Sequence, residues 1–161
     1  MATRSSAAIA ELSGAMCAEL CAAGRAIARG YRPLLSALGL TYPQYLVLLA
    51  LGQRAPRTVT ELGDRLALDS GTLSPLLKRL EAAGLLSRVR RVKDERAVDV
   101  ALTAQGEALL KAAATVPAEM ASALGLSALA VRRFRTLLRE LTASLARQDA
   151  AAAAAAIRAA S

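Results

Sequence analysis

Histidine and tryptophan are absent from these 161 residues, and phenylalanine occurs once, at Phe134. Without imidazole there is no Ser-His-Asp or Cys-His catalysis, no His-ligated zinc and no imidazole pH switch. Cysteine is scarce too. Cys17 and Cys21 are too few for a disulfide framework or a four-thiolate zinc site, so no metal and no cofactor is implied. The first nine residues, MATRSSAAI, hold no apolar run behind Arg4, so no signal peptide is expected. The longest uncharged stretch, residues 33–53, is interrupted by Gly39, Thr41, Pro43 and Gln44, and reads as two helices and a turn instead of a membrane span. Reduced thiols in the cytoplasm are the expectation.

What the chain does have is alanine, 39 residues of it, which with the many leucines predicts helix-rich packing of small and medium side chains. The apolar fraction of 55% and a mean hydropathy of +0.36 rule out global disorder and supply one core of ordinary size. Lys and Arg number 21 against 13 Asp and Glu, a net charge of +8. Such an excess favours a polyanionic partner, nucleic acid ahead of an anionic membrane surface, or else reflects only a basic solvated surface.

Along the chain, Ile9 to Ala28 is helix-forming, weakened at Gly24 and Gly30, and a short apolar run Leu34–Leu38 ends at Gly39. Pro43 opens a helix that is apolar nearly all round from Tyr45 to Leu51 and should be buried. Thr58 and Glu61 have capping-box spacing ahead of the stripe Val59, Leu62, Leu66. A turn at residues 67–70 leads to a second helix with Leu73, Leu76, Leu77 and Leu80 on one face and Gly71, Ser74, Pro75 and Lys78 on the other, stopped by Gly84. Pro75 either removes one helical hydrogen bond or delays the helix to about Thr72. Residues 87–91 and 97–102 then alternate with period 2 and predict a β-hairpin whose tip is Val92–Arg96. Thr103 caps a helix running toward Pro117, another covers about Ser127 to Arg147, and Ala150–Ala156 is a low-complexity helical extension.

Helix, tight turn, amphipathic helix and basic hairpin follow one another in the order of a winged helix-turn-helix. The fold class expected is mainly α with a small β-hairpin wing. A helix fits the major groove; short polar side chains at its start reach base edges, and Lys and Arg behind them meet phosphates. The candidate DNA contacts are Ser70, Thr72, Ser74, Pro75, Lys78 and Arg79 on the helix, with Arg88, Arg90, Lys93, Asp94 and Arg96 on the hairpin. Residues 78–96 hold seven Lys and Arg against three acids, and they coincide with the outward face of the second helix and the hairpin.

The run Leu68-Asp69-Ser70-Gly71-Thr72-Leu73-Ser74-Pro75-Leu76-Leu77-Lys78-Arg79-Leu80, followed by Asp94-Glu95-Arg96 and Leu102-Thr103, resembles the MarR family of dimeric bacterial repressors. Leu40-Thr41-Tyr42-Pro43-Gln44-Tyr45-Leu46-Val47 narrows the resemblance to the organic-hydroperoxide-sensing branch. It covers roughly residues 12–110. It implies a MarR-type homodimer on a palindromic operator, with Arg96 in the minor groove and Asp94 orienting a wing arginine; without it, Asp94 and Arg96 read as a surface ion pair worth little. Together with the apolar faces of the terminal helices it divides the chain into dimerisation and sensing helices over 1–53, the winged helix-turn-helix over 54–103 and dimerisation helices over 104–149; the N-terminal arm and an alanine-rich tail over 150–161 lie outside the resemblance. The protein would act as a repressor in the bacterial cytoplasm, on the nucleoid when bound to DNA, and not as an enzyme.

The same resemblance assigns Cys17 as the sensing thiol, with Tyr31 and Tyr42 of the partner subunit holding its thiolate. A third pocket tyrosine of the branch is matched by Cys21, a departure, and the second cysteine of two-cysteine members is missing after residue 21. A thiolate attacks a peroxide to give a sulfenic acid that must be trapped, and phenol O–H groups stabilise the thiolate. Tyr45, in the apolar helix, leaves Tyr31 and Tyr42 as the pair. Arg25 and Arg29 either add positive potential or are solvated. Cys17 and Cys21 share a helical face; a bond between them requires local unwinding, and otherwise Cys21 is a small residue in place of tyrosine. The inducer implied is an organic hydroperoxide, with a low-molecular-weight thiol as one route for capping Cys17. The alternative keeps the fold but makes a small-molecule ligand the signal, with the cysteines incidental. No acid/base pair or cofactor motif supports a thiol peroxidase.

Overall fold

Three apolar side chains near the end of the first helix, Tyr31, Leu34 and Leu35, pack onto the core, and this anchoring carries the helix further than its glycines predict. In the computed structural model, which describes the backbone of residues 2–91 and 94–159 and the side chains of 15–90 and 97–148, helix α1 spans Ala2–Ser36. It passes through Gly24, Gly30 and Pro33, where the sequence pattern had placed a break after Ala28 and a separate run at 34–38. The hydrogen bond lost at Pro33 frees the carbonyl of exposed Arg29, which solvent can satisfy. Helix α2 (Tyr42–Gln53) is central and buried as expected, with Pro43 in its first turn. Thr41 and Gln44 form a capping box at its start that went unread in the sequence.

Thr58 caps α3 (Val59–Leu66) together with Glu61, as its spacing predicted. Arg57 and Thr58 also form a short strand, β1, that no alternation announced. Ala67 turns the chain in the left-handed region (φ 51°), and α4 (Ser70–Ala82) follows. The helix therefore starts ahead of Pro75, and Pro75 removes one hydrogen bond from its interior. Gly84 (φ 70°) leads into β2 (Leu86–Arg91) and β3 (Asp94–Leu102). The sheet order is β1-β3-β2, all antiparallel, with Leu86 opposite Leu102 and Arg91 opposite Asp94 beyond an irregularity at Arg90/Arg91. The hairpin tip is thus shorter than the five residues expected. Asp94 to Arg96 belong to β3, because backbone pairing extends the ladder past the last buried side chain.

Thr103 caps α5 (Ala104–Ala112) by accepting from the Gly106 N–H at 3.1 Å, and donates its own hydroxyl to the Gly84 carbonyl at 2.6 Å. The helix stops at Ala112 instead of reaching Pro117. A single 3-10 turn (Ala113–Thr115) separates it from α6 (Val116–Ala123). The chain divides into two compact units, 1–116 and 117–161. The core of the first joins Leu35, Tyr45, Leu48, Leu51, Leu62, Leu73, Leu77, Leu80, Leu86 and Val100. In the second, Ser127 caps α7 (Ala128–Ala159), which joins the helix expected over 127–147 to the helical extension expected over 150–156. Its Leu129, Val131, Phe134, Leu137 and Leu145 are exposed. Among the described residues no single helix is long and apolar enough to cross a membrane.

Candidate nucleic-acid interface and thiol site

Asp69 fixes the start of α4 with both carboxylate oxygens. Oδ1 accepts from the Thr72 N–H and Oδ2 from the Thr72 hydroxyl, each at 2.9 Å. These bonds hold the Asp69 carboxyl below its ordinary range, the Thr72 backbone donor contributing most. The Thr72 hydroxyl proton is therefore committed, and its oxygen is left as an acceptor. Ser70, Thr72, Pro75, Lys78 and Arg79 are exposed and Ser74 is half-buried, while Leu73, Leu77 and Leu80 are buried on the opposite side. The helix presents the face that the sequence assigned to DNA.

Arg88 departs from a purely outward basic hairpin. Its Nε donates to Glu81 Oε2 at 2.8 Å, a second guanidinium nitrogen reaches the same oxygen, and the side chain is 27% exposed. Arg88 holds the Glu81 carboxyl below its ordinary range and ties β2 to α4. On the alternate face Val89 is 63% exposed, and Arg90 is exposed beyond it. The side chains of Lys93, Asp94 and Arg96 lie outside the described residues. Sequence reasoning also missed Arg57, whose Nε donates to the Ala50 carbonyl at 3.1 Å and braces the helix-turn-helix against α2.

The tyrosines form one cluster. Tyr31 and Tyr42 have ring centroids 4.9 Å apart and Tyr31 and Tyr45 5.9 Å, so Tyr45 belongs with the pair from which its apolar helix had separated it. Burial pushes all three phenols up; Tyr31 adds to the effect on Tyr42, and Tyr31 and Tyr42 add to that on Tyr45. All three therefore stay protonated, as O–H groups, at neutral pH. A groove of about 460 Å³ opens beside Tyr42, lined also by Ala28, Arg29, Arg32, Leu40 and Pro43. Cys17 and Cys21 are free and exposed on α1. Residues 17 and 31 are fourteen positions apart on one helix, about 21 Å along its axis, so the chain does not bring its own thiol to its own tyrosines. No cluster of three metal-ligating side chains occurs among the described residues.

A capped, outward-facing second helix followed by a basic antiparallel hairpin defines a winged-helix DNA-binding protein. Residues 38–97 match the MarR family. Over 117 residues the chain is 44% identical to the organic hydroperoxide resistance transcriptional regulator of Bacillus subtilis (strain 168), covering 73% of this chain and 78% of that one. The chain belongs to the MarR family and is a DNA-binding transcription regulator. Its fold is similar to that of reduced AbfR bound to DNA, with a TM-score of 0.71 and 32% identity over 85% of this chain and 93% of that one. It is likewise similar to overoxidized AbfR bound to DNA, with a TM-score of 0.66 and 34% identity over 82% and 93%.

Proposed function

We propose that this regulator is a homodimeric repressor that binds a palindromic operator and releases it when an organic hydroperoxide oxidises Cys17. The observation that carries this reading is the separation of thiol and phenols within the chain. Tyr31 and Tyr42 are stacked, half-buried and protonated, yet about 21 Å of helix lies between them and their own Cys17. In this reading they donate hydrogen bonds to the Cys17 thiolate of the partner subunit, which lowers the cost of ionising it. The likeness to a regulator of organic hydroperoxide resistance supports the choice of oxidant.

In this reading Ser70, Thr72, Ser74 and Pro75 meet base edges, while Lys78, Arg79 and Arg90 meet phosphates. Lys93, Asp94 and Arg96 serve the wing, and Arg88 aims the wing through Glu81. Residues 1–53 and 104–149 dimerise and sense, 54–103 bind DNA, and the alanine-rich tail over 150–161 has no assigned chemistry. The protein works in the bacterial cytoplasm without a cofactor. The groove beside Tyr42 favours one second reading, in which a small-molecule ligand seated there is the signal.

The test uses a duplex selected by the reduced protein from a random-sequence library. Cys17→Ser should bind it as tightly as the parent and no longer release it with cumene hydroperoxide, because serine keeps the size of cysteine and forms no sulfenic acid. Release from the Cys17→Ser protein by cumene hydroperoxide would refute the assignment, and release by a non-oxidising compound would favour the second reading.

A further inference from the structure

We infer that Cys21 is the resolving thiol for Cys17, so that oxidation ends in a disulfide inside helix α1 of one chain. This rests on the sensing role proposed for Cys17. The sequence contains two cysteines only, so any protein thiol that traps a Cys17 sulfenic acid is Cys21 or a cysteine of the other subunit. Both thiols are free and exposed, and their spacing of four puts them one above the other on a single helix face.

The chemistry balances with the hydroperoxide as the only oxidant. The Cys17 thiolate sulfur attacks one peroxide oxygen; an S–O bond forms, the O–O bond breaks, and the alkoxide leaves as an alcohol after taking up a proton. The Cys21 thiolate then attacks the Cys17 sulfur. The S–S bond forms, the S–O bond breaks, and hydroxide leaves as water with the proton released by the Cys21 thiol. The two sulfurs together lose two electrons and the hydroperoxide gains two.

Geometry makes this bond a mechanical event. Helical β-carbons four positions apart lie about 5–6 Å from one another, and a relaxed disulfide holds them at about 3.8 Å. Closing that gap breaks the backbone bond from the Cys21 N–H to the Cys17 carbonyl and unwinds a turn. From Ala15 to Ala26 every side chain but Leu20 is exposed within its chain, so unwinding there gives up little packing in the same subunit. Gly24, with open space around its α-carbon, lets the next turn follow.

The experiment treats the full-length protein with one equivalent of cumene hydroperoxide in the absence of small thiols, then alkylates with N-ethylmaleimide. Trypsin cuts after Arg4 and Arg25 and releases both cysteines in one peptide, residues 5–25. That peptide should be lighter than the dithiol by two hydrogens and carry no maleimide, with no cross-linked dimer on a non-reducing gel. Amide exchange over residues 15–24 should accelerate by at least about tenfold, and dithiothreitol should reverse both changes. In Cys21→Ser given several equivalents of cumene hydroperoxide, Cys17 should instead overoxidise to a form that dithiothreitol does not reduce. A maleimide on Cys21 of the oxidised parent, a disulfide between subunits, or unchanged amide exchange would each overturn this inference and leave the sensing role intact. A Cys17→Ser protein that still responds would overturn the sensing role.

Discussion

At Tyr45 a phenol lies 1% exposed with a hydroxyl that has no hydrogen-bond partner among the described residues. Removing a buried, unsatisfied O–H should be favourable, because its desolvation is uncompensated. Tyr45→Phe is expected to raise stability by about 1 kcal/mol in urea unfolding, with hydroperoxide sensing unchanged. Tyr42→Phe should behave differently. Its ring keeps the 4.9 Å contact with Tyr31, but the donor is lost, so cumene hydroperoxide should oxidise Cys17 more slowly by about tenfold, read by stopped-flow, with reduced-state DNA affinity unchanged. At this scale the sequence offered a candidate thiol and two candidate phenols, and it did not tell how the three tyrosines assemble. Helical periodicity tells that Tyr45 is buried in α2; it does not tell that Tyr31, from α1, lies against it. Arg88 shows the same limit, since its partner Glu81 sits seven residues away across a turn and on another element.

Among the elements, α5 lies tight against the chain that enters β2 at Gly106, where an added β-carbon would lie 2.0 Å from the Leu85 carbonyl oxygen. That atom is backbone and cannot swing away. Gly106→Ala should therefore cost at least about 2–3 kcal/mol in urea unfolding, and an unchanged midpoint would show that α5 is free to shift. The cap of α4 and the strut from β2 to it both depend on ionised carboxylates. Bonds from Thr72 lower the Asp69 carboxyl from 3.8, and Arg88 lowers the Glu81 carboxyl from 4.5. A lowered native pKa means that the unfolded chain takes up the proton first as pH falls, so this stability is complete above about pH 4.5 and drains away as pH drops through the native values. Asp69→Ala with Glu81→Gln should be less stable than the parent at pH 7, and the gap should narrow as pH falls below about 4.5. The elements read best in the sequence are those set by short-range chemistry: the Thr58 and Thr103 caps, buried α2, and the stop at Gly84. The ones misread depend on distant partners. Helix α1 outlasts its glycines and Pro33 because Tyr31, Leu34 and Leu35 anchor on the core, and β1 is two residues that become a strand by pairing with Val100 and Asp99.

For the whole molecule, the net charge of +8 has to be set against where the free cations sit. Among the described side chains of the interface, Lys78, Arg79 and Arg90 are exposed, whereas Arg88 is held by Glu81 and is less available to phosphate. Three cations per chain, doubled in the proposed dimer, neutralise about six phosphates, and each released counterion adds about 0.9 to the salt slope. The reduced protein should therefore lose affinity for its selected duplex with a log–log slope of about −5 or steeper, close to a thousandfold between 50 and 200 mM salt. Doubling requires the dimer. In each unit apolar side chains are left exposed, Met16 on α1 and Leu129, Val131, Phe134, Leu137 and Leu145 on α7, surfaces that a second copy would cover. Sedimentation at micromolar concentration should thus give a dimer, and the selected duplex should carry two half-sites about one helical turn apart, the spacing that a two-fold pair of recognition helices imposes. A monomer with a slope of about −2.7 would mean that each chain binds alone through half these contacts, and the coupling from Cys17 to the partner's tyrosines would lose its basis.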